Sequence, residues 1–360
     1  MAKTAEHGLK QTYGNFQIKG LSTGVKSKNF YTEQTLESGT KKRAVSFGVK
    51  YNVTGDEENP IPLTLYPSIQ GFTRKSVYFS KRTDGKTETK EVEWAKRHDF
   101  ASKNPEWRLM GVNVGLEKDE DGNNIKQYLT EFDAATAVKE LLKDDESIFV
   151  RGQLEFQSYT GKDGNTVRRT NFNANQISLC SDVEFGEDYK PVNDWDQEIV
   201  YTGIEKEVDE NDKPTGRFVL HGYVVTYRAI EAVSFIVENS TLANKFKKSL
   251  KAYNKIKVHG KMKVVHLVES VEEDDTDEWG DHNAMSNRRV SAPSRIELVV
   301  TGADGSSIDT EEYTEDSVME GIRILKNKEN AKKNFGEKPK AAENDGWDDD
   351  ADENLDEEPW

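Results

Sequence analysis

Along most of the chain, apolar and polar residues alternate with a period of two, the signature of half-buried strands. In Ala44–Tyr51 the apolar set is Val45, Phe47, Val49 and Tyr51. In Ser147–Phe156, the residues Ile148, Val150, Gly152, Leu154 and Phe156 share one face, and Phe149, Arg151, Gln153 and Glu155 share the other. Ile256–Met262 repeats the pattern. Turn sequences separate such runs: Glu37-Ser38-Gly39-Thr40, Thr83-Asp84-Gly85-Lys86, Asp121-Gly122-Asn123 and Lys162-Asp163-Gly164-Asn165. A helical period appears in three places. One is Asp133–Lys143, with Ala134, Ala137, Val138, Leu141 and Leu142 on one face. The others are Thr241–Tyr253, with Leu242, Phe246, Leu250 and Tyr253, and Glu311–Leu325.

These pieces occur twice. Each half has several strands, one short helix, then a strand with glycine at its middle. Gly152 in Ala137–Phe156 and Gly260 in Ala243–Val265 stand 108 residues apart. A helix between the third and fourth strands of a small closed sheet is the arrangement of an OB-fold, and glycine inside a strand suits the bend that closure needs. The expected fold is mainly all-β: two OB-fold five-stranded Greek-key barrels, each with one short helix, then a C-terminal helix and a disordered acidic tail. The first barrel spans residues 14–185 with an insertion at 54–105, which carries hairpin material at Leu63–Tyr66 and Ser76–Ser80. The second spans 195–308, with an acidic loop at 269–281 before its fifth strand, Arg295–Thr301. The polar stretch Gly186–Asp194 links them. A helix at 309–328 and a basic-then-acidic tail at 329–360 follow.

Charge changes the picture twice. The net charge of −16 argues against a nucleic-acid partner until its distribution is seen. The last 20 residues hold 10 acids and no Lys or Arg, and Glu269–Asp281 holds 8 more; the remaining 48 acids face 50 bases. Blocks of like charge repel themselves and serve as interaction tails or as solubilising segments. The single cysteine, Cys180, rules out a disulfide scaffold and a CxxC zinc site, so no metal or cofactor is expected. The first residues lack the apolar core of a secretory signal, and no apolar run approaches ~18 residues. The expectation is a soluble cytoplasmic protein without a membrane partner.

The stretch ESIFVRGQLEFQSYTGKDGNTVRRTNFNANQISLC (Glu146–Cys180) resembles the fourth and fifth strands of bacterial single-stranded DNA-binding proteins. Glu106-Trp107-Arg108 is similar to that family's entry to strand three, Gly14–Tyr51 to its first two strands, and DDDADENLDEEPW to its acidic tail. The resemblance covers about half the chain. Two barrels in one chain, Trp360 where the family usually ends in Phe, and the long insertion depart from the pattern and suit a divergent, phage-type member. The resemblance implies sequence-independent binding of single-stranded DNA in replication, recombination and repair, without enzymatic activity. It also implies that the tail residues Asp356, Glu357, Glu358, Pro359 and Trp360 recruit replication or recombination enzymes. A homo-oligomer is compatible with it.

Single strands offer phosphates and exposed base faces, which proteins meet with basic grooves and aromatic platforms. The first half interleaves both. Candidate phosphate contacts are Lys42, Arg43, Arg74, Lys75, Lys81, Arg82, Arg168 and Arg169, and candidate platforms are Phe72, Tyr78, Phe79 and Trp94. The resemblance puts Trp107 and Tyr159 at stacking positions, with a core role as the other reading of Trp107. Arg151 faces outward, as a phosphate contact or a solvated arginine, and Phe156 continues the interior set. The second barrel has fewer candidates: Tyr223, Tyr227, Arg228 and the helix lysines Lys245, Lys247, Lys248 and Lys251. It either extends the DNA path or mediates protein contacts. Glu117–Tyr128 mimics a calcium loop but lacks its final glutamate, and reads as a hairpin turn. A strand-annealing or recombination-mediator protein, and an OB-fold protein-interaction module, are the alternatives.

Overall fold

The computed structural model describes residues 5, 7–54, 61–160, 166–186, 188–209, 212–266 and 294–336. The first half opens with β1 (Gly14–Thr23), β2 (Tyr31–Thr35), β3 (Lys41–Ser46), β4 (Gly48–Thr54), β5 (Ile61–Leu65) and β6 (Ser68–Phe72). A small unit follows: β7 (Ser76–Thr83), β8 (Lys86–Glu93), a 3-10 turn at Trp94–Lys96, α1 (Arg97–Lys103) and β9 (Arg108–Leu109). Then come β10 (Val112–Lys118), β11 (Asn124–Leu129), α2 (Glu131–Leu141), β12 (Ser147–Thr160) and β13 (Thr166–Leu179). The second half is β14 (Asn193–Val208), β15 (Pro214–Val225), β16 (Ile230–Val237), α3 (Ser240–Ser249), β17 (Lys255–His266), β18 (Ser294–Asp309) and α4 (Glu315–Gly336).

The chain is mainly β, and its strand pairings make two OB-type barrels. The second is the simpler. β14 pairs with β15 and β17, β15 with β16, β17 with β18, and β16 closes on β18 in parallel through Ile236↔Val299. α3, between the third and fourth strands, buries Ala243 and Phe246 against this wall. In the first barrel, β1 pairs with β4 and β12, and β12 with β13. β3–β4 and β5–β6 form a bent antiparallel hairpin, and β13 takes both β6 and β10 in parallel. The expected insertion at 54–105 therefore divides: β5 and β6 belong to the barrel sheet, and β7, β8 and β9 form a separate three-stranded sheet.

The alternation works as the sequence predicts. Ile148, Val150, Leu154 and Phe156 are buried on one face of β12, and Ile256, Val258 and Met262 on one face of β17. The two glycines have one physical cause. Each lies at a register shift, Arg151/Gly152 and His259/Gly260, where the fifth strand crowds the fourth. A Cβ at Gly152 would collide with the Asn173 carbonyl, and one at Gly260 with the Val299 carbonyl.

The barrels are joined edge to edge. β1 pairs antiparallel with β14 from Gly14↔Gln197 to Ile18↔Asn193. Phe16 lies opposite Gly152, and Trp195 opposite Gly260, so the two residues are equivalent; they also face each other across this junction. Behind it Trp195 stacks on Phe235 (5.0 Å, 14°), and Phe156 of the first barrel meets Phe235 edge-on at 6.0 Å. The Val264 N–H donates to the Tyr51 hydroxyl at 3.2 Å. One continuous apolar cluster runs through both barrels.

Helix ends follow local chemistry. Thr130 caps α2 by accepting from the Asp133 N–H, and Asn239 caps α3 by accepting from Leu242. α3 stops at Ser249, short of the expected Tyr253, because Leu250 turns extended and Tyr253 takes a left-handed backbone (φ 69°). Thr314 and Ser317 each accept the other's backbone N–H, which starts α4 four residues later than expected, at Glu315. Helix-forming residues then carry α4 to Gly336. No helix among the described residues is long and apolar enough to cross a membrane.

Candidate nucleic-acid interface

A groove runs along the outer face of the first barrel between β6 and β13. Phe72 comes from the end of β6, Arg74 from the link that follows it, Glu131 from the start of α2, and Arg169 from β13. Lys42 is the cross-strand partner of Phe72, its Nζ 5.9 Å from the ring. At Gln157 and Arg169 the groove continues into a second one, where Arg168 faces Arg295 and Glu297 of β18. At Glu231, which accepts a hydrogen bond from Ser158, it reaches Tyr227, Arg228 and Lys326. Five candidates, four on strands and Arg74 two residues beyond β6, are thus gathered: Lys42, Phe72, Arg74, Arg168 and Arg169. Tyr159 stands beyond them on the β12–β13 arm, 52% exposed. Among the described residues, Arg168 and Arg169 make no ion pair, whereas Arg74 is held by Glu131 at 2.9 Å.

The β7–β9 sheet carries most of the other candidates, and here the structure corrects the sequence. Phe79 is fully buried and centres a small core with Val77, Val92 and Leu109, so it cannot offer a face to a base. Its strand neighbour Tyr78 points the other way and is 49% exposed. Trp107 packs half-buried on the same core, edge-on to Phe100 at 6.2 Å. Lys81 lies 3.7 Å from Glu106, and Lys75 and Arg82 are exposed. Arg151 is exposed earlier on the same outer face of β12, near Gln17, Asp194 and His259, and does not line the groove.

Two further candidates are committed internally. The Arg97 guanidinium lies 4.0 Å from the Trp94 ring and donates two bonds to Asp133, at 2.7 and 2.8 Å. Trp94 in turn meets Phe132 edge-on at 5.8 Å. Arg43 covers the Phe132 ring at 4.1 Å, pairs with Glu33 and donates to Thr136. This clamp fixes the small sheet to α2. Burial pushes the Asp133 carboxyl up, and the bonds from Arg97 and Thr130 outweigh it and hold it below the ordinary aspartate range.

Other features resolve without a site. The Asp119 carboxylate accepts from the Asp121 and Asn123 N–H groups, so the calcium-like stretch is the hairpin turn between β10 and β11. Ser234, His221 and Glu205 form a row, but the imidazole meets serine through Nδ1 and glutamate through Nε2 on an open sheet face. His221 and Ser234 are cross-strand partners in the β15–β16 ladder. No cluster of potential metal ligands occurs among the described residues. The Lys162–Asn165 turn, the acidic loop 269–281 and the tail residues Asp356–Trp360 lie outside the described residues.

Sequence reasoning overlooked the carboxamides of the groove: Gln70, Gln153, Gln157, Asn171, Asn173 and Asn175. A signal was present, since Asn171, Asn173 and Asn175 recur at alternate positions opposite the apolar Phe172 and Ala174.

The sequence matches the YorF family over residues 80–338, and the chain belongs to that family. No curated protein matches it. Among solved structures, a deletion variant of the single-stranded DNA binding protein from Thermus aquaticus is similar at 11% identity and a TM-score of 0.39, over 85% of this chain and 98% of that one. The wild-type protein from Thermus aquaticus gives 10%, 0.38, 82% and 93% in the same order. The small single-stranded DNA-binding protein from Streptomyces coelicolor gives 11%, 0.18, 48% and 97%. The fold is established by its own strand pairings, to which these likenesses add nothing.

Proposed function

We propose that this member of the YorF family binds single-stranded DNA and coats it without chemically altering it. The observation that carries the reading is the succession of Lys42, Phe72, Arg74, Arg169 and Arg168 along two grooves that meet at Gln157 and Arg169 of the first barrel. Phosphates meet the cations, and base faces meet Phe72 and the exposed Tyr159, the combination that unpaired strands need. The sequence of β12 and β13, which resembles single-stranded DNA-binding proteins, supports the same reading. Replication, recombination and repair are the processes in which such a coat acts. In this reading the acidic segment with Asp356, Glu357, Glu358, Pro359 and Trp360 recruits the enzymes of those processes through an apolar ring set beside side-chain carboxylates.

A fluorescence titration with single-stranded and duplex oligonucleotides over a range of salt tests the binding. Single strands are expected to bind far more tightly, with a log–log salt slope of about −0.7 per phosphate contact. Equal affinity for duplex, or no salt dependence, overturns the reading. A pull-down comparing the full chain with Trp360→Ala tests recruitment; identical partner sets reduce the tail to a solubilising segment.

A further inference from the structure

The groove beside β13 is not a simple trough of positive charge. Arg74 and Arg169 face Glu131 and Glu155, so its formal charges cancel, and Arg74 is tied to Glu131. What distinguishes it is its amides. Gln70 stands on β6, Gln153 and Gln157 on β12, and Asn171, Asn173 and Asn175 on β13. Parity puts them outside: on β13 they alternate with the buried Phe172 and Ala174. Asn173 donates to Glu155 at 2.8 Å, and among the described residues the other five carboxamides make no hydrogen bond.

A carboxamide places donors beside an acceptor. A phosphate offers acceptors only, and an aromatic face neither. The edge of a nucleobase offers a donor beside an acceptor, which is why Asn and Gln pair with base edges in two bonds at once. In a duplex the Watson–Crick edges are already paired, and an unpaired strand presents them. A ligand that filled this groove without such groups would strip water from five amides and return nothing, which costs affinity.

We propose that this groove holds base edges, so that strand binding depends on hydrogen bonds to the bases as well as on phosphate and stacking contacts. The proposal rests on the single-strand reading above and departs from the sequence analysis, which expects contacts indifferent to the base. Gln70, Gln157 and Asn171 represent it, one from each of the three strands and each without a side-chain hydrogen bond among the described residues.

The experiment compares a thymidine oligomer with the same oligomer carrying difluorotoluene in place of thymine. Shape, stacking and phosphates are kept, and the hydrogen-bonding edge is removed. Anisotropy titrations should show the full-length protein binding the isostere at least tenfold more weakly, with an unchanged salt slope. The variant Gln70→Ala/Gln157→Ala/Asn171→Ala, checked for native circular dichroism, should bind both oligomers alike, at the level the parent shows for the isostere. Gln70→Ala and Gln157→Ala alone, both at exposed positions, give the same result in smaller steps should the triple variant misfold. Equal affinity of the parent protein for the two oligomers overturns the proposal, as does a variant that preserves the difference. Binding of neither oligomer removes the single-strand reading itself, and the proposal with it.

Discussion

The two barrels follow one backbone plan and differ in how the cations of their fourth and fifth strands are matched. On the second, the basic residues of β17 are matched locally: Lys257 with Asp196, Lys261 with Asp194, Lys263 with Glu238, and Lys255 with Glu312. Arg217 is gripped by Glu207 and the buried Glu297, which also holds Arg295. On the first, Arg168 and Arg169 of β13 and Arg151 of β12 make no ion pair among the described residues. A pairing of strands therefore says little about ligands. The difference lies in whether each cation already has a carboxylate opposite it, because a cation satisfied within the fold has less to gain from a phosphate.

The largest expected effect tests how far the barrels are separate at all. Phe235 contacts Trp195 of its own barrel and Phe156 of the other. Phe235→Ala should lower stability by ~3–5 kcal/mol and shift one shared unfolding transition, followed by tryptophan fluorescence and circular dichroism in denaturant. Two transitions, only one of which moves, would make the barrels independent units. The next effect is confined to the first barrel, which alone carries the β7–β9 sheet. Asp133→Asn should loosen its clamp by about 1.5–3 kcal/mol. Because the folded-state pKa of Asp133 is depressed, its contribution is complete above the ordinary aspartate pKa and is lost as the pH falls through the folded value. Stability curves of parent and variant should thus run parallel at neutral pH and converge in acid; a gap that persists in acid would assign the effect to shape, not charge.

The third prediction puts the comparison to DNA. Arg168→Glu/Arg169→Glu should weaken single-strand binding and reduce the salt slope by about 1.4, two contacts at about 0.7 each. Lys257→Glu/Lys261→Glu should leave the slope unchanged, and a matching loss there would extend the strand path over the second barrel's outer sheet. The smallest effect is Lys263→Ala. Its exposed pair with Glu238 is worth about 0–1 kcal/mol, measurable as a slight shift in the denaturant midpoint.

The barrels were legible in the sequence because period-two patterning and closure by a bulge leave local marks. Gly152 and Gly260 are such marks, since no other residue fits against the carbonyls beneath them. The site was less legible because side chains on a strand are sorted by what lies across from them. Phe79 and Tyr78 are adjacent aromatics among bases, and only the packing of Val92, Phe100 and Leu109 under one of them makes it core. Arg43 and Trp94 look free in the sequence and are engaged by Glu33, Phe132 and Arg97, from 10 to 89 positions away in the case of Arg43 and 3 to 38 in that of Trp94. The short helix α1 carries too few apolar residues for a helical period to show.

The edge-to-edge junction also orders events during synthesis. The 14–18 edge of β1 finds its partner only in 193–197, beyond the end of β13 at Leu179. At ~5–20 residues per second, the ribosome needs roughly one to three seconds to make the intervening residues. Through that interval a first barrel whose own strands are complete holds a row of bare amides and carbonyls, with Phe156 uncovered beside them. An open strand edge next to an apolar ring is a template for another chain's strand. A truncated chain ending before β14 would keep that edge permanently, and its natural fate is to pair with a second copy of itself.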